Sequence, residues 1–277
     1  MTITMSGVHE SVEKACWAPW LQFSVAEMEA YARAFPEGQI TCVDENDRPV
    51  AALTTVRVEW DGDPASLGTW DGIAGRVPVT GTPARADGNA IGLLSAAVHP
   101  DHQGEGLADR LLDGILAVGV EAGVDVLFSP FRPSGFGRYK DRTGSVDFVD
   151  YCAQRTAGGL PLDPWLRILH RRGMRSLKVV EGAMVVAVTL DELDHHRRTW
   201  RRESWRRLTD PAALDLLQRR HAALGVVDPG EVWECGETGW WLVDHRRGRA
   251  EYVEPNLWGC IPVSPGEAVT SVDDAVA

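Results

Sequence analysis

The stretch Val98–Ala108, VHPDHQGEGLA, holds the residues whose types and spacing could do chemistry. Within it, Gln103-Gly104-Glu105-Gly106-Leu107-Ala108 forms a Gln-x-x-Gly-x-Ala turn. A glycine turn that opens a helix is an anion site. The first helical N–H groups have no intrahelical partner, and the helix dipole favours negative charge there. Gly104 and Gly106 carry no Cβ, so a diphosphate can approach the backbone closely. The plainer reading is a glycine loop that only caps a helix. No Gly-Lys-Ser/Thr follows, which excludes a P-loop nucleotidase, and the Gly-x-Gly-x-x-Gly spacing of a dinucleotide site is absent.

The turn needs elements to hold it. Before it, Ala90–Val98 is almost wholly apolar, the pattern of a strand buried on both faces. After it, Leu107–Ala122 repeats apolar residues at helical spacing, and Val124–Phe128 reads as the next buried strand. This βαβ order predicts a parallel pair with the turn between. Upstream, Ser24-Val25-Ala26-Glu27 is a capping box opening a helix through Phe35. Gln39–Val43 and Val50–Trp60 read as strands joined by the turn Asp44–Pro49, and the Gly- and Pro-rich 61–88 reads as a long loop. Downstream, Phe131–Tyr139 reads as a loop, while Ser145–Thr156 and Leu166–Arg172 read as short helices. Leu177–Val180 and Ala183–Val188 read as an antiparallel pair turning at Glu181-Gly182.

At 277 residues the chain can form one large domain, or one domain with an appendix. Its net charge of −12 argues against general nucleic-acid binding and would draw cationic small molecules. Five scattered cysteines without Cys-x-x-Cys spacing point to reduced thiols and a cytoplasmic setting. No run has the length of a signal peptide core or membrane span, so a membrane role is not expected. From Asp191 the composition changes: 194–207, DHHRRTWRRESWRR, carries six arginines and two tryptophans on one expected helix. Pro211–Leu224 reads as another helix, and Trp233, Trp240, Trp241 and Trp258 fall on short strands. Residues 264–277 are small, polar and acidic, the composition of a disordered tail. His195-His196 has no matching acidic or cysteine set, so no metal is assigned.

The glycine turn resembles the acyl-CoA-binding motif of the GNAT acyltransferase superfamily. The resemblance extends through Phe35–Gln39, Thr69-Trp70 and the segment 161–173, PLDPWLRILHRRG, over about residues 20–190. The set is similar to a larger subclass whose members stand beside carbon–nitrogen hydrolases or load polyketide synthases. It implies a mixed α/β fold with a central twisted sheet, splayed parallel strands and flanking helices. The expected organisation is a GNAT-like domain over 1–192, a C-terminal Arg/Trp-rich α+β appendix over 193–263, and the tail 264–277.

The same resemblance implies the site. Backbone groups of Ala96 and Val98 would pair with pantetheine, and an N–H near Ala96 would polarise the thioester carbonyl. Gln103, Gly104, Glu105, Gly106, Leu107 and Ala108 would cradle the coenzyme A diphosphate. Some family members carry a glutamate base eleven residues before the turn's Gln; that position here is Gly92. The base is then water, His99, His102 or a residue outside the strand. Tyr139 is the candidate acid for the leaving thiolate, with His170 as a second candidate. His170 stands near the histidine of the subclass pattern Asp-Pro-x-Leu-x-x-His, displaced by one residue, with Leu169 at the family position. Ser134 and His170 would form a pair holding a malonyl carboxylate, with Arg132, Arg138 and Arg167 as a carboxylate clamp.

The leading expectation is transfer of an acetyl group from acetyl-CoA to a small-molecule amine by direct attack in a ternary complex. A malonyl-type acyl-CoA decarboxylase or S-acyltransferase loading an acyl carrier protein is the alternative, with the carrier docked on the Arg/Trp helix. A catalytically degenerate CoA-binding domain is a third. The Arg/Trp helix could also mediate a homodimer.

Overall fold

The computed structural model describes residues 2–5, 9–75, 87–222 and 231–263. In chain order its elements are β1 (Thr2–Met5), α1 (Glu10–Cys16), α2 (Val25–Ala34), β2 (Ile40–Val43), β3 (Pro49–Val58), α3 (Trp70–Ala74), β4 (Ala90–Val98), α4 (Leu107–Ala122), β5 (Val126–Phe131), α5 (Phe136–Thr143), α6 (Phe148–Ala153), α7 (Pro164–Arg171), β6 (Arg175–Thr189), α8 (Leu190–Thr199), β7 (Arg206–Arg207), α9 (Pro211–Ala222), β8 (Glu231–Glu234), β9 (Trp240–Asp244) and β10 (Arg249–Pro262). The strands form one mixed sheet in the order β1-β2-β3-β4-β5-β10-β9-β8-β7, with β6 also paired to β10. Among the described residues β4 and β5 are the parallel pair.

Helix α4 lies over one face of this sheet. Its stripe Leu107, Leu111, Leu112, Ile115 and Val118 is buried against Ile40, Leu53, Ile91, Leu93 and Leu127, with Leu166 and Leu169 of α7 closing the side. Each such side chain contributes ~1.5–3 kcal/mol of burial. The helix stops at Gly123, which adopts φ +64 and caps it with its N–H on Gly119 and Val120. The opposite face is covered by Met28 and Tyr31 of α2 and Ile73 of α3, packed on Val56, Ala90, Phe128 and Trp258. The α2 capping box forms as the sequence predicts: Glu27 N–H donates to Ser24 Oγ, and Ser24 N–H donates to Glu27 Oε2.

The C-terminal region differs from the expected appendix. Strand β10 runs antiparallel to β6 along its length, to β9 over Arg249–Val253 and to β5 over Leu257–Pro262. Residues 249–262 therefore complete the central sheet, and a boundary at 192 divides strands of one sheet. The expected hairpin at 177–188 is also corrected: β6 is a single strand. Glu254 pairs with Met184 and Asn256 with Val180, so Glu181-Gly182-Ala183 bulges opposite Pro255. A Glu-Gly pair read as a turn is here a bulge, where the partner strand lacks an N–H. Residues 264–277 lie outside the described residues.

Between β6 and β10 the chain inserts α8, β7, α9, β8 and β9. The Arg/Trp segment is not one helix. A second capping box, Thr189 with Glu192, opens α8, and the helix ends before Trp200. Trp20, Trp200, Trp205, Trp241 and His196 then form one aromatic nest; Trp20 lies 5.1 Å from Trp241 and 5.0 Å from His196, centroid to centroid. Five of the six arginines are engaged within the fold: Arg198 with Asp194, Arg201 with Glu237, Arg206 with Glu234 and Asp141, Arg207 with Glu231, and Arg197 over the Trp233 ring at 3.8 Å. Lys140 of α5 fastens the insertion to the core. Its buried Nζ donates to Thr238 O and Gly239 O and sits 4.3 Å above Trp240, while burial pushes its pKa down to about 8. A Cβ on Gly137 would stand 2.1 Å from Gly236 O, so only glycine lets α5 and the 236–239 turn meet.

Candidate active site at the divergence of two parallel strands

Strands β4 and β5 pair at Ala90 with Val126, Ile91 with Leu127 and Gly92 with Phe128. Beyond Gly92 both continue, to Val98 and Phe131, without pairing to each other. The Ser129 hydroxyl donates to Leu93 O at 2.8 Å, just past the last pair. The other edge of β4 stays paired to β3 as far as Val98, apart from one register shift at Leu94. A strand held on one edge and free on the other beside a wedge is suited to accept an extended ligand as an added strand.

The register shift sorts the β4 side chains. Ala96 and Val98 face the α4 core, whereas Ser95 and Ala97 face α1. The glycine turn lies on the α4 side. Gly104 and Gly106 adopt φ +87 and +75, and a Cβ built on either would meet nothing within 4 Å. Gln103, Gly104, Glu105 and Gly106 are exposed, while Leu107 is buried and anchors the helix start. The structure thus brings together the residues expected to hold the diphosphate, with open space over them. The expected bases His99 and His102 serve the turn itself. His99 Nδ1 accepts from Asp101 N–H at 3.3 Å, and His102 Nδ1 lies 3.2 Å from Glu105 Oε1.

Gly92 cannot hold a family-type glutamate in this fold. A Cβ there would meet Ile73 Cγ2 at 2.6 Å and Val56 Cγ2 at 3.4 Å. A different carboxylate occupies the α1 side. Ser95 Oγ donates to Glu13 Oε1 at 2.6 Å and accepts from Trp17 Nε1 at 3.0 Å. Glu13 is 2% exposed, and burial pushes its pKa up to about 7, against the opposing influence of the Ser95 hydroxyl and the nearby Trp17 indole. Sequence reasoning missed this group. Its only signal was a glutamate on a short amphipathic segment four residues before Trp17.

The remaining expected residues are dispersed. Tyr139 stacks between Phe136 and Tyr151, and its hydroxyl accepts from Gln154 Nε2 at 2.9 Å; these contacts belong to α5 and α6, not to β4. Ser134 is exposed in the turn before α5. His170 is exposed on α7, and Leu169, one residue earlier, points into the core. The one-residue displacement is a rotation of about 100° on a helix, which is why the imidazole faces outward. The clamp is not assembled either. Arg167 donates to Pro161 O and Leu162 O, and Arg138 is exposed on α5. Arg132 is held by Glu237, Glu254 and Thr238, with its guanidinium 5.1 Å over the Trp17 ring. Burial opposes its charge, but Glu254 and Glu237 outweigh that and raise its pKa.

Residues 8–134 match the model of the acetyltransferase (GNAT) family. Two solved structures are similar over most of their own length. The loading GNATL domain of CurA from Lyngbya majuscula shares 25% identity over 62% of this chain and 80% of that one, with a TM-score of 0.50. A GphF GNAT-like decarboxylase in complex with isobutyryl-CoA shares 25% identity over 63% of this chain and 84% of that one, with a TM-score of 0.51. No curated protein matches the sequence.

Proposed function

We propose that the protein, whose residues 8–134 match the model of the acetyltransferase (GNAT) family, transfers an acyl group, most simply acetyl, from acyl-CoA to the amine of a small molecule. One observation carries this reading. The strands β4 and β5 part after Gly92 beside a helix whose two opening glycines lie in left-handed conformation under open space. In this reading the diphosphate rests on the N–H groups of Gly104 to Ala108. Pantetheine pairs with the backbone of Ala96 and Val98, and the Ala96 region polarises the thioester carbonyl. The amine approaches from the opposite, α1 side of β4 and attacks directly. Fixing both reactants across one strand supplies much of the rate through orientation.

The named neighbours supply a second reading, decarboxylation of a malonyl-type thioester before loading onto a carrier protein. That reading draws support from the 25% identity to a loading domain and a decarboxylase. It is weakened by the outward His170, the dispersed Ser134 and the engagement of Arg132 by two glutamates. Arg198, Arg206 and Arg207, although exposed, are each paired with an acidic group of this chain. Incubation with acetyl-CoA and, separately, malonyl-CoA distinguishes the two by mass spectrometry. Acetyl-CoA turnover that requires an added primary amine is the expected result. Carbon dioxide release from malonyl-CoA without an amine would replace this reading with the second.

A further inference from the structure

A buried carboxyl with a purely structural role normally has both oxygens satisfied, because an unmatched oxygen in low dielectric costs the fold ~1–3 kcal/mol. Glu13 departs from that. Its Oε1 accepts from Ser95 Oγ, but its Oε2 is buried without a partner. In neither protonation state are both oxygens served: ionised, Oε2 lacks a donor, and protonated on Oε2, it lacks an acceptor. The geometry around Ser95 is equally specific. Trp17 Nε1–H fills one lone pair of the hydroxyl and thereby turns its proton toward Glu13. One lone pair of Ser95 Oγ is left for another donor. Ser95 sits on β4 immediately before Ala96 and faces the side opposite the glycine turn.

We propose that Ser95 and Glu13 are the acid–base pair of this site, taking the proton from an attacking primary amine. The inference rests on the acyl-CoA reading above. As the amine nitrogen bonds to the thioester carbon, its N–H proton passes to Ser95 Oγ while the Ser95 proton passes to Glu13 Oε1. The C–N bond forms, the C–S bond breaks, and the departing thiolate takes up a proton from water. Glu13 then releases its proton and the balance closes. The pair substitutes for the strand glutamate that Ile73 and Val56 leave no room for at Gly92.

The environment suits this duty. Among the described residues, His9 and Cys16 flank Glu13 on and before α1, and Arg132 lies over the Trp17 ring. His9, hydrogen-bonded to Thr41 and Thr54, is held neutral because burial pushes its pKa down to about 4. The Cys16 thiol is pushed up to about 12 by burial and by Glu13 itself. Arg132, across Trp17, is engaged by Glu237 and Glu254. Glu13 therefore ionises near neutral pH, the range a general base needs.

The test measures acetyl-CoA binding by calorimetry and single-turnover thiol release from acetyl-CoA, with water alone and with 2-phenylethylamine as the amine probe. Wild type should show a rate that rises with pH through about 7. Glu13→Gln and Ser95→Ala should bind acetyl-CoA within about twofold of wild type yet lose ~10²–10⁴-fold in rate. Glu13→Gln should also lose the rising limb, and Glu13→Asp should recover part of the rate. Infrared titration supplies a readout without turnover: a protonated carboxyl band that fades through about pH 7 and is missing in Glu13→Gln. Folded variants with full rate and an unchanged pH limb would overturn the pair. So would wild-type protein that binds acetyl-CoA but releases no thiol to either nucleophile. Absence of acetyl-CoA binding by wild type would instead overturn the acyl-CoA reading itself.

Discussion

At the scale of single residues, Glu13 and His9 leave opposite imprints on stability. Glu13 is raised from 4.5 to about 7 in the fold. From about pH 4.5 to 7 the unfolded carboxyl has ionised while the folded one has not, so the folded state holds the extra proton and stability falls as pH rises. The benefit of burying a neutral Glu13 is thus full below about 4.5 and gone above about 7. His9 is lowered from 6.5 to about 4, and its contribution is full above about 6.5 and lost toward 4. The two trends oppose each other between about 4.5 and 6.5. Subtracting the wild-type curve from that of Glu13→Gln isolates the carboxyl. That difference should rise from about pH 4.5 to 7, by on the order of 3 kcal/mol at ~1.4 kcal/mol per unit, and then level off. Urea midpoints across this range provide the measurement; a flat difference would mean that Glu13 ionises freely. A second pair of residues separates strain from binding. Gly106 and Gly123 bracket α4, both have positive φ, and both have open space where a Cβ would go. Alanine at either should cost ~1–2 kcal/mol of stability. Only Gly106→Ala should also weaken acetyl-CoA binding, by about tenfold, because in the proposed reading only that end meets the diphosphate. Equal affinities for the two variants by calorimetry would detach the turn from coenzyme binding.

At the scale of elements, what the sequence revealed follows from how local each signal is. Strand β4 and helix α4 have the boundaries read from their apolar patterns, since burial on both faces and a continuous helical stripe need no distant partner to be visible. The glycine turn was legible for the same reason. Glu181-Gly182 misled because a turn and a bulge share residue types; only the partner strand, some seventy residues away, decides between them. Glu13 escaped notice because its role depends on Ser95, 82 positions later. Gly92 was flagged as a departure, and the structure gives the reason: α3 presses Ile73 onto that face of β4. Restoring the family-type base should therefore fail. Gly92→Glu must displace Ile73 and Val56 and bury a carboxylate among apolar groups. Its melting point should drop by several degrees or the protein should not accumulate in soluble form. A variant with wild-type stability and higher acyl transfer would show that α3 can move aside.

At the scale of the whole molecule, the insertion and the final strand cannot be treated as a removable appendix. β10 makes the antiparallel ladder between β5 and β6 and also carries β9. Ile261 and Leu257 belong to the α4-side core, while Trp258 and Cys260 belong to the α2-side core. One strand thus closes both layers, and the chain must reach its residue 262 before either core is complete. The insertion it returns from holds the α1 side of the site through Arg132, whose guanidinium bridges Trp17 to Glu237 and Glu254. Cutting the chain after residue 192 would expose the edges of β5 and β6 and strip apolar surface from both faces. Such open edges template aggregation, and the lost burial of four core side chains, ~6–12 kcal/mol, is comparable to the whole ~5–15 kcal/mol margin of an ordinary domain before the unpaired ladder is included. The truncation 1–192 should therefore yield insoluble or unfolded protein, read by circular dichroism and size-exclusion chromatography. Adding residues 249–262 back on a flexible linker, without α8 to β9, should recover folded protein and acetyl-CoA binding in part but not amine-dependent turnover, because Arg132 then lacks Glu237. Soluble, cooperatively melting 1–192 would show that the six-strand part is a domain in its own right and that β10 merely docks on it.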